Sequence, residues 1–190
     1  MRIAPVAFLL DPFDSQHRVL IRDVCRITHH NDEAYVGALA VVLAIRSVIM
    51  GTWSQDRTFL HAAVEGLPDS AVRDRIEELL LLNLPASEIA GRFGATGHVV
   101  DSVPLALHCA QSITSEPLQA VLARTISLGG DIDTIASIAG QLAGTVAGSN
   151  GVPHELVADI DGSDELFSIA DAFAEFVDNH GPALITRSAT

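Results

Sequence analysis

There is no lysine in this 190-residue chain; all eleven basic residues are arginine. A Schiff-base lysine and the phosphate-gripping lysine of a P-loop are therefore excluded. Aromatic residues make up only 5 %, so the interior must be built from Ala, Val, Leu and Ile. With 14 Gly, that mix suits closely packed helices better than a sheet. Positive charge is scarce: the net charge of −13 argues against nucleic acid or an anionic membrane surface as a partner, since either would meet long-range repulsion. The two cysteines, Cys25 and Cys109, have no CxxC spacing and lie inside apolar periodic runs. They read as buried, reduced thiols of a cytoplasmic protein rather than as a disulfide or a catalytic thiol. The longest apolar run, Ala34 to Ile45, contains Gly37 and stops at Arg46. It falls short of the roughly 18–20 residues that a membrane span needs. No signal peptide is expected, because the short apolar stretch after Met1-Arg2-Ile3 is broken by Pro5 and ended by Asp11-Pro12. Nucleophile-elbow GxSxG, HExxH and zinc-ligand spacings are also missing, despite eight histidines.

What remains is helical periodicity almost throughout. The pattern predicts a short helix over about 3–10 and a second over 15–27, with Val19, Leu20, Val24 and Ile27 on one face. A third runs from Asp32 to about Met50, capped by Thr28 or Asn31. Segments at 54–65 and 68–82 follow, the latter presenting Arg73, Arg75, Glu77 and Glu78 as a solvated face. A single turn at 87–91 and the loop Gly94-Ala95-Thr96-Gly97 lead into a helix over 99–111. Pro117 sits at an early position of the next helix, which Gly129-Gly130 ends near Leu128. The helix over 134–148 carries Ala136, Ala139, Gly140, Ala143, Gly144 and Ala147 at three- and four-residue spacings, a face that suits a central position. A last helix over 164–179 is expected to turn Leu166, Ile169, Ala170, Phe173 and Val177 inward. No strand alternation, fixed-period repeat or linker is evident. The chain reads as a single all-α domain over residues 1–190, a compact helical bundle.

One segment carries chemistry. Gly129-Gly130-Asp131-Ile132-Asp133-Thr134 puts two carboxylates and a hydroxyl on a tight turn at a helix start, where the chain is not yet fully helical. Asp131, Asp133 and Thr134 can converge on one point there, and oxygen-only donors favour Mg²⁺, Mn²⁺ or Ca²⁺ over zinc. The same residues also suit a simpler task, an aspartate capping free N–H groups. Three donors from one turn do not complete a six-coordinate shell.

The wider sequence from Ser127 through Gly129-Gly130-Asp131-Ile132-Asp133-Thr134-Ile135-Ala136, continuing by Ala139-Gly140 and Ala143-Gly144 to Val152-Pro153, resembles the C-terminal metal motif of the ADP-ribosylglycohydrolase family. Its usual form is GGDTDT, then IA, a small-residue helix and a proline; Ile132 here replaces a Thr that is not a usual ligand. Three further segments agree in order. Met1-Arg2-Ile3-Ala4-Pro5 is similar to the family's AMRIAP stretch, Thr28-His29 to its TH segment, and Val99 to Leu107 to its vvdSVPaAL helix. The resemblance implies a compact orthogonal helical bundle holding two divalent ions, Mg²⁺ or Mn²⁺, that bind ADP-ribose and assist cleavage of its link to a modified side chain. It implies Asp131, Asp133 and Thr134 as metal ligands and His29 as a neighbour of the bound ADP-ribose. His98 stands where the family often has an aromatic that stacks on the ligand. For His29 the alternative is a helix cap, and for His98 an ordinary loop histidine.

The family's N-terminal Thr-Asp-Asp-Thr-like motif, which supplies the other metal ligands, has no counterpart in these residues, nor has its glycine- and asparagine-rich phosphate loop. Asp11, Asp14, Asp32-Glu33 and Asp101 form no such cluster and read as caps or surface charges. The expectation is an N-terminally truncated version of the fold, with weak metal affinity of its own. It would act on ADP-ribose or an ADP-ribosylated protein only once completed, or serve instead as a non-catalytic helical interaction module. In the second case an uncovered apolar area would be present, suited to a homo-oligomer or a complementing chain.

Overall fold

The computed structural model describes residues 2–158 and 160–186, with side chains to residue 180. It is all-α, and among the described residues there is no strand. A 3₁₀ turn at Ala4–Phe8 leads into α1 (Ser15–Arg26), α2 (Asp32–Ile49), α3 (Phe59–Val64), α4 (Ala71–Leu82) and α5 (Ala86–Phe93). Then come α6 (Val99–Ala110), α7 (Leu118–Ser127), α8 (Ile132–Ala147), the short α9 (His154–Ala158) and α10 (Ser163–Thr186). No helix among the described residues is long and apolar enough to cross a membrane.

The centre of the bundle is α2. From Val36 to Ser47 nearly every residue is buried, including Leu39, Val42 and Ile45, as expected of a helix apolar all round. It is wrapped by the Ala4–Phe8 turn, α1, α3, α6 and α8. Asn31 caps it by accepting the Ala34 N–H at 2.6 Å. Helix α6 is the second core element, buried from Ser102 to Leu107 with Pro104 inside it. Where α2 crosses α6, a Cβ on Gly37 would lie 2.3 Å from Val99; the missing side chain lets the two helices meet.

Helix α8 packs on α6 and α7 and also reaches α2, in keeping with the central position its small residues suggest. Of its small residues, Ala139 and Ala143 are buried, and Gly140 faces Leu122 of α7. Nothing approaches Gly144, so the small-residue stripe is a contact seam over only part of its width. Both cysteines are free and buried; burial pushes the Cys109 thiol up to about 11.

Several faces differ from the sequence reading. In α1 the buried residues are Ile21 and Cys25, whereas Leu20 is 49 % exposed and Ile27 77 %. The face bearing Val19, Leu20, Val24 and Ile27 is the one without a neighbour among the described residues. Of the five residues expected inward in α10, Leu166, Ile169 and Ala170 are exposed, and Phe173 and Val177 are half-buried. Phe173 sits edge-on to Phe8 at 6.1 Å between ring centroids. The periodicity of both helices is real, but a periodic face is buried only where another element covers it. Arg75 of α4 is not solvated either: its guanidinium lies over the Phe93 ring at 4.3 Å. The single turn at 87–91 is a two-turn helix, α5, whose Ile89 is buried in the core.

Candidate metal centre

After α7 the backbone turns through Gly129 (φ 74°) and Gly130 (φ 76°), both in the left-handed region that glycine alone enters freely. Asp131 is then the N-cap of α8, its carboxylate accepting the Thr134 N–H at 3.4 Å. Two close approaches lock this turn to the 94–97 loop. The Asp131 N–H donates to the Ala95 carbonyl at 2.7 Å, and a Cβ on Gly130 would lie 2.0 Å from that same oxygen. On the other side, a Cβ on Gly97 would lie 2.2 Å from Asp131 Oδ2. Glycines on two separate loops thus let one backbone carry Asp131 and the other cradle it.

The three residues singled out in the sequence are together. The neighbouring Asp133 carboxyl, with the Thr134 hydroxyl and N–H, holds the Asp131 carboxyl below its usual value of 3.8. The positive end of α8 also favours the charged form of Asp131. Asp133 is exposed, and Asp131 and Thr134 are half-buried. The cap and the ligand roles are compatible, since the cap engages Oδ1 of Asp131 while Oδ2 lies towards Gly97. Among the described residues no group of three or more His, Cys, Asp or Glu is arranged to hold a metal ion, so Asp131, Asp133 and Thr134 are a partial donor set.

His98 is the N-cap residue of α6, exposed, with its side chain making no cap bond. It is joined to Asp131 only through the Gly97 approach. His29 lies in the turn before α2, exposed, with Nδ1 2.8 Å from the Thr28 hydroxyl; Asn31, not His29, caps the helix. The α2–α6 crossing at Gly37 and Val99 brings those helix starts near one another.

The remaining carboxylates mostly do what their sequence positions suggest. Asp14 caps α1 by accepting the Gln16 and His17 N–H groups. Asp32 pairs with Arg26 at 3.5 Å. Glu33 accepts the Ala71 and Val72 N–H groups at the start of α4. Asp101 differs. It accepts the Thr96 hydroxyl at 2.7 Å and faces Arg75 at 3.6 Å, so it is tied to the loop beside Asp131 rather than to its own helix end. No sequence motif links Thr96, Asp101 and Arg75; only the packing of α4 against α6 unites them. A cleft of about 460 Å³ lined by His108, Arg124 and Ser127, and another of about 270 Å³ at Trp53, include none of Asp131, Asp133 and Thr134.

The family model for ADP-ribosylglycohydrolase matches residues 1–183. The chain is 26 % identical over 202 aligned residues to the ADP-ribosylhydrolase ARH3 of Homo sapiens, covering 90 % of this chain and 55 % of that protein. It is 30 % identical over 158 residues to ARH3 of Gallus gallus, covering 67 % and 43 %. Against the uncharacterized protein YegU of Escherichia coli (strain K12) it is 29 % identical over 192 residues, covering 87 % and 54 %. The chain spans about half the length of the curated relatives it matches.

Proposed function

The chain belongs to the ADP-ribosylglycohydrolase family, and we propose that it supplies part of a divalent-metal centre for hydrolysis of the glycosidic bond between ADP-ribose and a modified side chain. The observation that carries this reading is the meeting of Asp131, Asp133 and Thr134 at the start of α8, locked against the 94–97 loop by Gly97 and Gly130. Two carboxylates and a hydroxyl are the donors that Mg²⁺ or Mn²⁺ prefers, and they leave about half of an octahedral shell to water, substrate or further protein ligands. A bound ion would supply Lewis acidity to the ligand oxygens it holds. The residues of this chain hold charge and position. Asp131, its carboxyl held below the ordinary aspartate value, presents negative charge to a cation. His98, beside Gly97, and His29, at the start of α2, are proposed to contact ADP-ribose. The buried free thiols support a cytoplasmic setting for this chemistry.

A thermal-shift titration tests the metal reading. Millimolar Mg²⁺ or Mn²⁺ with ADP-ribose is expected to raise the melting temperature by a few degrees; saturation a hundredfold above Kd corresponds to about 2.7 kcal/mol. Asp131→Ala and Asp133→Ala should each abolish the rise. An equal rise in both variants would move the ion elsewhere, and no rise in any of the three proteins would remove it.

One observation favours a second reading, a non-catalytic helical interaction module: the uncovered apolar face of α1 and its C-cap, with Leu20 49 % and Ile27 77 % exposed. Assaying release of ADP-ribose from an ADP-ribosylated protein separates the two. Turnover that needs Asp131 supports the hydrolase. Ion-dependent stabilisation without turnover favours the module or the need for a complementing chain.

A further inference from the structure

The loop that cradles Asp131 is itself held from behind. Thr96 Oγ1 donates to Asp101 Oδ2 at 2.7 Å and accepts the His98 N–H at 3.1 Å. Asp101, in the first turn of α6, has Arg75 Nη1 of α4 at 3.6 Å from its other oxygen. Arg75 is fixed in turn by the Phe93 ring below it and by Glu78 at 3.5 Å. A continuous path therefore runs from α4, through the first turn of α6 and the Thr96 hydroxyl, to the backbone that touches Asp131. The loop needs such a tether. Gly94 has a φ of 92°, Gly97 has no side chain, and a segment with two glycines in four residues loses much conformational entropy when fixed. Thr96 is its one hydroxyl and the only side chain in the loop that hydrogen-bonds to the helices behind it.

We propose that Thr96, Asp101 and Arg75 form a positioning unit for Asp131, holding the loop in the register where Ala95 accepts the Asp131 N–H and Gly97 leaves room for its carboxylate. The unit's meaning for metal binding rests on the reading of Asp131 as a ligand; its meaning for position rests on the Thr96 hydrogen bonds and the Arg75–Asp101 ion pair alone. None of the three is a catalytic residue, since none touches the donor set.

The direct measurement is amide hydrogen exchange of Asp131 by NMR on the full chain without metal. Thr96→Val keeps the shape and removes the hydroxyl. Asp131 exchange should rise roughly tenfold, the size expected when one or two net hydrogen bonds are lost from a local opening unit. Thr96→Ser should restore protection, and Asp101→Ala should behave like Thr96→Val. Unchanged protection in Thr96→Val, or equal loss in Thr96→Ser, overturns the proposal. Mn²⁺ alone is then titrated by water-proton relaxation, where Thr96→Val should weaken binding several-fold and Thr96→Ser should not. If Mn²⁺ fails to bind the unaltered chain while the exchange pattern holds, the positioning unit stands and the metal reading falls.

Discussion

Gly130→Ala is expected to lower the melting temperature by roughly 4–20 °C, at about 2–4 °C per kcal/mol for a chain of this size. Two costs add. An L side chain in the left-handed region costs roughly 1–2 kcal/mol, and Gly130 has a φ of 76°. The new Cβ would also stand 2.0 Å from the Ala95 carbonyl oxygen. That oxygen is backbone and already bound to the Asp131 N–H, so relief requires one loop to move off the other. Overpacking of this kind costs typically 1–3 kcal/mol. Gly129→Ala is the control: its φ is 74°, but nothing lies within 4 Å of the added carbon, so only the first cost applies. Gly97→Ala meets the Asp131 carboxylate, the end of a side chain that can rotate away; it should cost less stability yet displace the proposed ligand. Gly144→Ala has open space and an ordinary helical backbone and should gain roughly 0.5–1 kcal/mol. Differential scanning calorimetry on the four variants gives the order directly. Equal losses at positions 129 and 130 would mean that the two loops do not interlock.

That interlock marks the boundary of what the sequence makes legible. The helices were readable because each signal is local: an apolar run without charges for α2, a proline start for α7, paired glycines before an aspartate for α8. Asp131, Asp133 and Thr134 were readable for the same reason, since four consecutive residues at one helix start need no tertiary information to be neighbours. Thr96 and Asp101 are close in sequence, but their link matters only because Arg75 and Asp131 arrive from other helices. A sequence also does not say which residue a glycine must avoid: Gly37, Gly97 and Gly130 are required by Val99, Asp131 and Ala95, each from another element. Helix faces were the weakest reading. Periodicity tells which residues of α1 or α10 share a side, but burial depends on whether another element is there to cover it. In α1 the larger apolar set of Val19, Leu20, Val24 and Ile27 stays exposed, and the smaller pair Ile21 and Cys25 on the neighbouring face is the one that meets the core.

The division in α1 gives a second large expected effect. Ile21→Ala should destabilise the chain by about 2–5 kcal/mol, the range for an aliphatic side chain removed from a filled core, because Ile21 has no exposed surface. Leu20→Ala and Val24→Ala remove similar volumes one and three residues away, from side chains 49 % and 40 % exposed. Each should stay within about 0.5 kcal/mol of the parent, as surface substitutions generally do. Urea unfolding at low protein concentration compares them, with the slope of the transition checked to ensure that the same surface is exposed in each. The comparison becomes more informative as concentration rises. If another copy or a complementing chain seats on the Leu20–Val24 face, the cost of Leu20→Ala should grow with the concentration of that partner, because binding to the folded state adds stability by mass action. The cost of Ile21→Ala should not grow in that way, since Ile21 faces the chain's own core. A large loss from Leu20→Ala in dilute solution would mean that this face is already covered within one chain. A small loss from Ile21→Ala would mean that α1 is rotated about its axis, with the apolar face turned inward as its size alone suggests.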